Sequence, residues 1–569
     1  MIEVHLDLTQ APQNLVVVRL AFEPVQRHLQ WSLPAWTPGS YLIRDYVRFL
    51  EGLELLQGGV RAPIRRLGPA QWEADLHDLA AVELRYRLQA HELTVRTCHV
   101  DGDHAFLALA AVVLQVEGHR WSPHRLHLQR PAGWQVFLPL PGDDSEGWLA
   151  GDFDALVDAP LEAGPHQEHA FTVAGVPHRW VTWGEDLPSR DPRWLEDVER
   201  VCACCCRLLG ESTPAAPHYL LILHLREEGY GGLEHDNASV LLYGRRALAR
   251  PEGRRRLLQL VAHEYLHQWN VRRLRPAPLA PVDYDHPTPV SGLWFAEGVT
   301  SYLDPLIPHA AGLCSEAELL DDLGADLSRY RLTPGRHVQS LHDSAEEAWV
   351  KLYRQDGQSR NNQVSYYLKG AVVAMMLDLH LRRHGSALIL VLRDLWRSFG
   401  RCRRGYRSQD LIDAFASHAA DLSTMLPIWL NSTDDPDMEG YLDDVGLRLV
   451  AEHGRERYIG WQLRESVNRG AVEVSAVDRG SPAAWAGVQI GDEILALDHQ
   501  RLRSPSDSSQ ALPPDHGDPT EVLLCRDGLI RTITLASAPP AVSRWRLEPV
   551  PEASDAVLEK RRRWLSLTP

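Results

Sequence analysis

The sequence predicts a multidomain α+β protein. The chain has 569 residues, more than one hydrophobic core usually organises. Its first part alternates apolar and polar residues in short runs, its middle part follows helical periods, and residues 454–538 return to short strands. We therefore expect a β-sandwich-like domain over residues 1–165, a mostly helical domain over 166–445, a smaller domain over 446–540 and a charged tail over 541–569.

The predicted elements follow this division. Runs such as VVVRLAFEP and AVELRYRLQAHEL, broken by proline and glycine, are typical of β-strands in the first domain. In the second domain, HYLLILHLR (His218–Arg226) predicts a buried strand. A glycine-rich turn at Gly229–Gly232 and an extended run at Ala238–Gly244 follow. Pro251 suits the first turn of the next helix, and Pro276 closes that segment.

Composition excludes several classes of protein. The formal net charge of −17 argues against a nucleic-acid-binding protein, which usually carries a basic surface. The first ten residues, MIEVHLDLTQ, alternate like a strand and show no secretory signal, and no stretch approaches the ~20 apolar residues of a membrane span. Four of the eight cysteines crowd into VCACCCRLLG, where neighbouring thiols cannot all face one ion, so a packing role is favoured over a metal site. We expect a cytoplasmic enzyme that binds neither membranes nor nucleic acid.

The stretch VAHEYLHQWN contains the pattern His-Glu-x-x-His. On a helix, His263 and His267 share one face and can present two imidazoles to one ion. Glu264 is offset by about a hundred degrees, which places it beside the metal as a general base for an activated water. Chance alone would produce this pattern at a rate of ~0.1 in a chain of this length. The spacing is therefore only moderately specific.

A third ligand would distinguish a zinc hydrolase from coincidence, because such sites use three protein ligands and one open position. Glu297, in GLWFAEGVTSYL, stands thirty residues after His267 and suits a second helix packed on the first. The alternative is a surface glutamate of an amphipathic helix, which the preceding Trp-Phe-Ala makes less favourable. The sequence therefore predicts one Zn²⁺ per chain, held by His263, His267 and Glu297.

Two further stretches suggest how a peptide would be held. In GYGGLEHDNAS, Gly232 lets the backbone approach a ligand closely, and Glu234 can hold the α-amine of a peptide. In QVSYYLKG, a phenol of Tyr366 or Tyr367 can donate a hydrogen bond to the oxyanion. Taken alone, Glu234 would more often be a turn residue, and the two tyrosines would more often be packing residues.

Five motifs in order, HEYLHQWNVRRLRP, GLWFAEGVTSYL, GGLEHDN, TPGRHVQSL and SYYLKG, resemble the glycyl aminopeptidase family. LPAWTPGSYLIRDY is similar to the β-rich N-terminal domain of that family, and RGSPAAWAGVQIGDEILALD resembles its C-terminal PDZ domain, with DHGDPTEVLLCRDG as closing strands. The resemblance implies a gluzincin zinc metallopeptidase with a thermolysin-like catalytic domain at 166–445 and a PDZ domain at 446–540.

The resemblance also assigns roles. His263, His267 and Glu297 match the zinc ligands, and Glu264 matches the catalytic base. Glu234 matches the amine-binding glutamate of related zinc aminopeptidases, although Leu233 and His235 replace that motif's Met and Asn.

Tyr367, two residues before Lys-Gly, matches the tyrosine that stabilises the oxyanion, with Tyr366 as the alternate. The resemblance alone implies a preference for N-terminal Gly, and for Ala. In the PDZ region, Tyr458–Trp461 departs from the usual Gly-Leu-Gly-Phe carboxylate loop, where a peptide or protein ligand could bind.

Two other functions fit the same residues. A PDZ-containing zinc endopeptidase would share the fold and the metal site, and would differ by not depending on Glu234. A non-catalytic peptide-binding scaffold would need no Glu264, whose presence argues against it.

Overall fold

The computed structural model of the protein describes residues 1–466, 471–508 and 518–569. Two compact units organise these residues. The first unit comprises Met1–Val290, Ile307–Leu313 and Val391–Arg407, and the second comprises Ser291–Leu306, Cys314–Leu390 and Ser408–Pro569.

The first unit begins with the expected β-rich domain. An eight-stranded sheet has the order β14-β15-β12-β1-β2-β8-β4-β5, and two four-stranded sheets have the orders β13-β16-β10-β9 and β11-β3-β7-β6. The strands are β1 Ile2–Asp7, β2 Leu15–Phe22, β3 His28–Ser32, β4 Leu50–Gln57, β5 Val60–Ala62, β6 Arg65–Gly68, β7 Gln71–Asp75, β8 Val82–Gln89, β9 His99–Val100, β10 Ala105–Leu107, β11 Gln115–Val116, β12 His124–Gln129, β13 Gln135–Phe137, β14 Gly142–Asp143, β15 Gly147–Ala150 and β16 Leu161–Gly164. One short helix, α1, spans Phe153–Val157.

Side-chain alternation explains why this domain folds as sheets. Along β8 every second residue, beginning with Val82, is buried, and the residues between them are exposed or half-buried. In the antiparallel pair β1/β2, Val4 lies opposite Leu20 and Leu6 lies opposite Val18, so the buried residues of both strands share one face. The prediction of a β-rich N-terminal domain is confirmed.

A five-stranded sheet in the order β17-β18-β19-β21-β20 completes the first unit. Its strands are β17 Glu168–Val173, β18 Val176–Trp183, β19 Tyr219–Arg226, β20 Tyr230–Glu234 and β21 Ala238–Gly244. The helices are α2 Leu187–Arg190, α3 Trp194–Leu208, α4 Arg245–Leu248 and α5 Gly253–Leu266. Strand β19 is parallel to β18 and β21, whereas β20 runs antiparallel to β21 at the sheet edge.

The structure differs from expectation at the glycine-rich stretch. The sequence suggested a turn over Gly229–Gly232, but Tyr230–Glu234 is an edge strand, and Glu234 is its last residue. Glycine is uncommon within strands, and here it allows the backbone to approach a neighbouring side chain very closely. The sheet is also larger than expected, because the hairpin β17–β18 joins the two strands that were predicted.

The second unit is helical around the segment that carries Glu297. A π-helical turn at Trp294–Gly298 leads into α6. The helices of this part are α6 Val299–Leu303, α8 Glu316–Arg331, α9 Leu341–Glu346, α10 Ser359–Asn362, α11 Tyr366–Arg383, α13 Ser408–His418, α14 Leu422–Asn431 and α15 Met438–Asp443. Two further helices, α7 Leu306–Ala310 and α12 Leu388–Leu395, include residues of both units.

The C-terminal part of the second unit contains the PDZ domain. Its sheet has the order β23-β24-β25-β27-β28, with β26 paired to β25. The elements are β22 Leu447–His453, β23 Trp461–Glu465, β24 Val472–Val477, α16 Pro482–Trp485, β25 Glu493–Leu497, β26 Gln500–Arg501, β27 Thr520–Arg526 and β28 Leu529–Leu535. The first three residues of the predicted closing segment DHGDPTEVLLCRDG lie outside the described residues.

Residues 541–569, expected to be a charged tail, form a strand and a helix. Strand β29 (Val542–Pro549) pairs antiparallel with β22, and helix α17 spans Asp555–Leu565. Trp564 is fully buried, and its Nε1 donates to the hydroxyl of Tyr302 at 2.7 Å. The aromatic anchor within the charged run EKRRRWLSLTP explains why this segment packs in the second unit.

Two further observations concern the helices and the cysteines. Within the described ranges, no helix has the length and apolar character needed to cross a membrane. All eight cysteines are free thiols, and the four on α3 are buried, in agreement with the packing role predicted for them.

Candidate metal centre and substrate site

Helix α5 ends in the His-Glu-x-x-His pattern. The rings of His263 and His267 lie with centroids 4.7 Å apart and planes at 86°. Nδ1 of His267 donates to the backbone carbonyl of Asn270 at 2.6 Å, which makes Nε2 the nitrogen that could coordinate a metal ion. The chain then turns sharply at Val271, whose φ of +131° is strained for a β-branched residue. The second nitrogen of His267 is thus held by backbone, as metal-ligating histidines usually are.

Glu264 is buried against the edge strand β20. Its side chain points towards Gly232, where an added Cβ would lie 1.9 Å from Oε1 of Glu264. Only glycine can occupy this position without displacing the carboxylate. The strand backbone and the Glu264 carboxylate are therefore in direct contact, which brings a peptide lying along β20 within reach of that carboxylate.

Replacing Gly232 with Ala tests this contact. The new methyl group must push Glu264 out of place, and a misplacement of 1 Å can cost roughly 10²-fold in rate. We expect kcat for a Gly-arylamide to fall by about this factor, with an unchanged circular-dichroism spectrum. Gly231→Ala is the matched control on the same strand, because its nearest neighbour, Nη1 of Arg96, is 4.0 Å from the added Cβ. Full activity of Gly232→Ala would contradict the contact.

Glu234, at the end of β20, is a buried carboxylate with a vacant acceptor. Only 4% of the residue is exposed, and Oε1 accepts no hydrogen bond from any described residue. Ligand atoms of Glu234, Glu264 and His267 lie within 4.8 Å of one another. A buried carboxylate is costly unless it is paired, so this position favours a cationic group brought by a ligand.

The N-terminal domain contributes one wall of this site. Gly39 has a φ of +81°, and an added Cβ there would lie 2.6 Å from each carboxylate oxygen of Glu234. Arg96 donates from Nη2 to the carbonyl of Gly232 at 3.1 Å, on the edge strand. These two residues were missed by sequence reasoning, because they lie more than a hundred residues before β20 and only the fold brings them there.

A buried arginine interacts electrostatically with Glu234. Arg272 contacts Oδ1 of Asp158 at 2.7 Å and Oδ1 of Asp236 at 2.9 Å. Burial opposes the charged form of Arg272, but the carboxylates of Asp158, Asp236 and Glu234 raise its pKa above the usual value. Arg272 therefore compensates part of the charge of Glu234, while Oε1 of Glu234 still accepts no hydrogen bond from any described residue. The only signal for this network in the sequence is that Asp236 lies in the motif GGLEHDN and Arg272 lies in the motif HEYLHQWNVRRLRP.

In the second unit, Glu297 lies in the π-helical turn and is 1% exposed. Gly298 follows it and packs on α11, because an added Cβ at Gly298 would lie 2.5 Å from Cα of Gly370. Single π-helical turns within helices are frequent at functional sites. The sequence prediction that Glu297 is not an ordinary surface residue agrees with this burial.

The two candidate tyrosines begin α11. Their rings stack with centroids 4.7 Å apart, and the hydroxyl of Tyr353 lies 3.0 Å from the hydroxyls of both Tyr366 and Tyr367. Tyr366 is fully buried, whereas Tyr367 is half-buried. Exposure favours Tyr367 as the residue that can reach a substrate. Tyr353 was not anticipated, since nothing in its local sequence distinguishes it.

Single replacements separate the two tyrosines. Loss of one oxyanion donor typically lowers kcat by about 10²–10³-fold. We expect this loss for Tyr367→Phe, measured with a Gly-arylamide, with little change in KM. Tyr366→Phe is expected to alter the melting temperature more than kcat. The reverse pattern would assign the oxyanion role to Tyr366.

A helix that presents an imidazole pair and a base beside the edge strand of a sheet is the arrangement by which metallopeptidases hold and hydrolyse peptides. The protein is accordingly a metallopeptidase of the aminopeptidase type. Its sequence matches the models described as Peptidase M61 N-terminal domain over residues 3–165, M61 glycyl aminopeptidase over 256–373 and PDZ domain over 473–526. The chain belongs to the glycyl aminopeptidase family.

The chain is also similar to several solved structures. An aminopeptidase N family protein from Idiomarina loihiensis is 28% identical to the chain, with a TM-score of 0.92. The match covers 100% of this chain and 100% of the other. An M1 zinc metallopeptidase from Deinococcus radiodurans is 13% identical, with a TM-score of 0.47 over 77% of this chain and 94% of its own. Aminopeptidase A of Legionella pneumophila is 13% identical, with a TM-score of 0.49 over 80% of this chain and 50% of its own. No curated protein sequence is significantly similar to the chain.

Proposed function

We propose that the protein is a zinc-dependent aminopeptidase that removes small N-terminal residues, Gly and also Ala, from peptides. The observation that carries this proposal is the buried carboxylate of Glu234, whose Oε1 has no hydrogen-bond partner among the described residues. Its ligand atom lies within 4.8 Å of those of Glu264 and His267, and this proximity supports a role in holding the α-amine of a peptide. An endopeptidase has no use for such an anchor.

In this proposal, His263, His267 and Glu297 hold one zinc ion per chain. Two imidazoles and one carboxylate are the donor set of a catalytic zinc site, and the bond from His267 to the backbone fits the coordinating role. Zinc would supply the Lewis acidity that polarises the scissile carbonyl and acidifies water.

The residues of the chain perform the remaining steps. Glu234 binds the ammonium group and thereby sets which carbonyl comes to the reaction centre. Glu264 accepts a proton from the attacking water and can pass it to the leaving amine. Tyr367 donates a hydrogen bond to the oxyanion as it forms. Gly232 allows the peptide to lie close to Glu264, since any side chain there would meet that carboxylate.

The preference for small residues is supported by the family to which the chain belongs and by the tight packing around the amine anchor. Gly39 packs directly on Glu234, which limits the space next to the bound ammonium.

The PDZ domain supports peptide binding at a second place. A cavity of about 710 Å³ adjoins Tyr458, Gly460 and Trp461, and a peptide or protein ligand could bind there by strand addition. The absence of disulfides among the eight cysteines supports a cytoplasmic location.

A panel of X-arylamides, assayed with and without a chelator, tests the proposal. We expect Gly-arylamide to be the best substrate, Ala-arylamide to follow, and the bulky Leu- and Phe-arylamides to be poor. Chelation should abolish the activity, and one equivalent of Zn²⁺ should restore it. Equal rates across the panel would refute the preference for small residues, and chelator-resistant activity would refute the zinc mechanism.

A further inference from the structure

Helix α11 carries a second pair of histidines at its C-terminal end. His380 lies in its last turn and His384 is its C-cap residue, so the two are four residues apart and share one face. Their ring centroids are 4.7 Å apart. Asp421, the N-cap residue of α14, completes the cluster: Nε2 of His380 lies 3.1 Å from its Oδ1, and Nε2 of His384 lies 3.7 Å from its Oδ2.

The geometry is that of a three-ligand cation site. The donor atoms of His380, His384 and Asp421 all lie within 4.8 Å of one another. Nδ1 of His380 lies 2.9 Å from the hydroxyl of Tyr441. A proton on Nδ1 donated to Tyr441 leaves the lone pair of Nε2 on the side of Asp421, which is the tautomer that binds a metal.

The solvent exposure of the three side chains suits an ion that exchanges with solvent. His380 is buried at 4% exposure, whereas the side chains of His384 and Asp421 are each 44% exposed. An ion could therefore enter from solvent and keep water in its remaining positions. The site also lies at the C-terminal end of an 18-residue helix, where the helix dipole favours positive charge.

The first unit contains another histidine cluster, which is buried and does not suit a metal ion. His104, His166 and His224 each place a ring nitrogen 2.8 Å from the carboxylate of Glu162. The other nitrogens of His104 and His224 are buried and have no hydrogen-bond partner among the residues that the structure describes. A metal on the inner nitrogens would force protons onto these outer nitrogens, which have no acceptor. Neutral rings that donate to Glu162 account for this cluster without an ion.

We propose that His380, His384 and Asp421 form a second metal site, which binds a divalent transition cation of the Zn²⁺, Ni²⁺ or Cu²⁺ type. Two imidazoles and one carboxylate favour such ions over Mg²⁺ or Ca²⁺, which prefer all-oxygen ligands. With three protein ligands and exposed edges, this site binds more weakly than the proposed catalytic centre. A bound ion would fasten the C-terminal end of α11 to α14.

Zinc binding to the full-length protein tests this site. Equilibrium dialysis against buffered free Zn²⁺, followed by metal analysis, should give two equivalents for the wild-type chain. His384→Asn and Asp421→Asn should each lose the weaker equivalent only and retain arylamidase activity. Tyr441→Phe should weaken the second site by about 10–100-fold, the usual effect of removing such an outer partner. The matched control is His342→Asn, which removes a surface histidine that lies 3.6 Å from Glu346 but lacks a third ligand.

The outcomes separate this inference from the proposed function. His263→Asn should lose the tighter equivalent and keep the His384-dependent one. If the wild-type chain binds a single equivalent that survives in His384→Asn, or if His384→Asn and Asp421→Asn both retain two, the second site does not exist. If the only equivalent bound depends on His384, the second site stands and the catalytic zinc proposal fails. Circular-dichroism spectra of all variants exclude loss of binding through unfolding.

Discussion

Replacement of Glu264 with Gln should lower kcat on a Gly-arylamide by roughly 10²–10⁴-fold, the usual contribution of a general base. The amide cannot accept the proton of the attacking water, yet it keeps the shape of the side chain that packs on Gly232. Because Glu264 is not a metal ligand in this account, the zinc content should remain that of the wild-type protein. Metal analysis of the same preparation that is assayed provides this check.

The matched control for Glu264→Gln is Glu252→Gln. Glu252 is the N-cap residue of the same helix, α5, and makes no side-chain capping hydrogen bond. It should be as active as the wild type. Retention of zinc together with full activity in Glu264→Gln would remove the general base from the account and would revive a peptide-binding role for the protein.

Replacement of Glu234 with Gln should impair only substrates with a free amine. Truncating one partner of a buried charge pair costs about 2–5 kcal/mol, which corresponds to roughly 30- to 5,000-fold in kcat/KM. The amide can still accept a hydrogen bond, but it no longer offers a negative charge to the ammonium group. Glu228→Gln is the control, because Glu228 precedes β20 and is exposed.

The substrate that distinguishes the two enzyme classes is an N-acetylated peptide. Wild-type protein should cleave it poorly, and Glu234→Gln should not make that cleavage worse. An equal loss on free and blocked peptides would mean that Glu234 acts on the fold or on the base, and not on the amine. The exopeptidase assignment would then lose its support.

The sequence predicted the parts of the site that lie close together in the chain. His263, Glu264 and His267 follow from helical spacing alone, and the burial of Glu297 follows from its apolar neighbours. The β-rich first domain, the helical middle and the PDZ domain were also predicted, because alternation and helical periods are local properties. The predicted domain boundaries and catalytic roles stay predictions.

Local patterns could not predict the surroundings of Glu234. Glycines at 229, 231 and 232 suggested a turn, whereas pairing with β21 makes the stretch an edge strand. Gly39 and Arg96 reach the site from another domain, and no periodicity relates positions so far apart. Residues 541–569 were predicted to be a charged tail because of their charged run. The prediction did not take account of Trp564, whose burial holds the helix in the second unit.

One peptide in two forms tests the aminopeptidase activity most directly. A Gly-initiated peptide and its N-acetylated counterpart are incubated with the zinc-loaded protein, and the products are identified by mass spectrometry. The free peptide should lose its first residue, and the acetylated peptide should remain intact. Internal cleavage of both forms at equal rates would contradict this expectation.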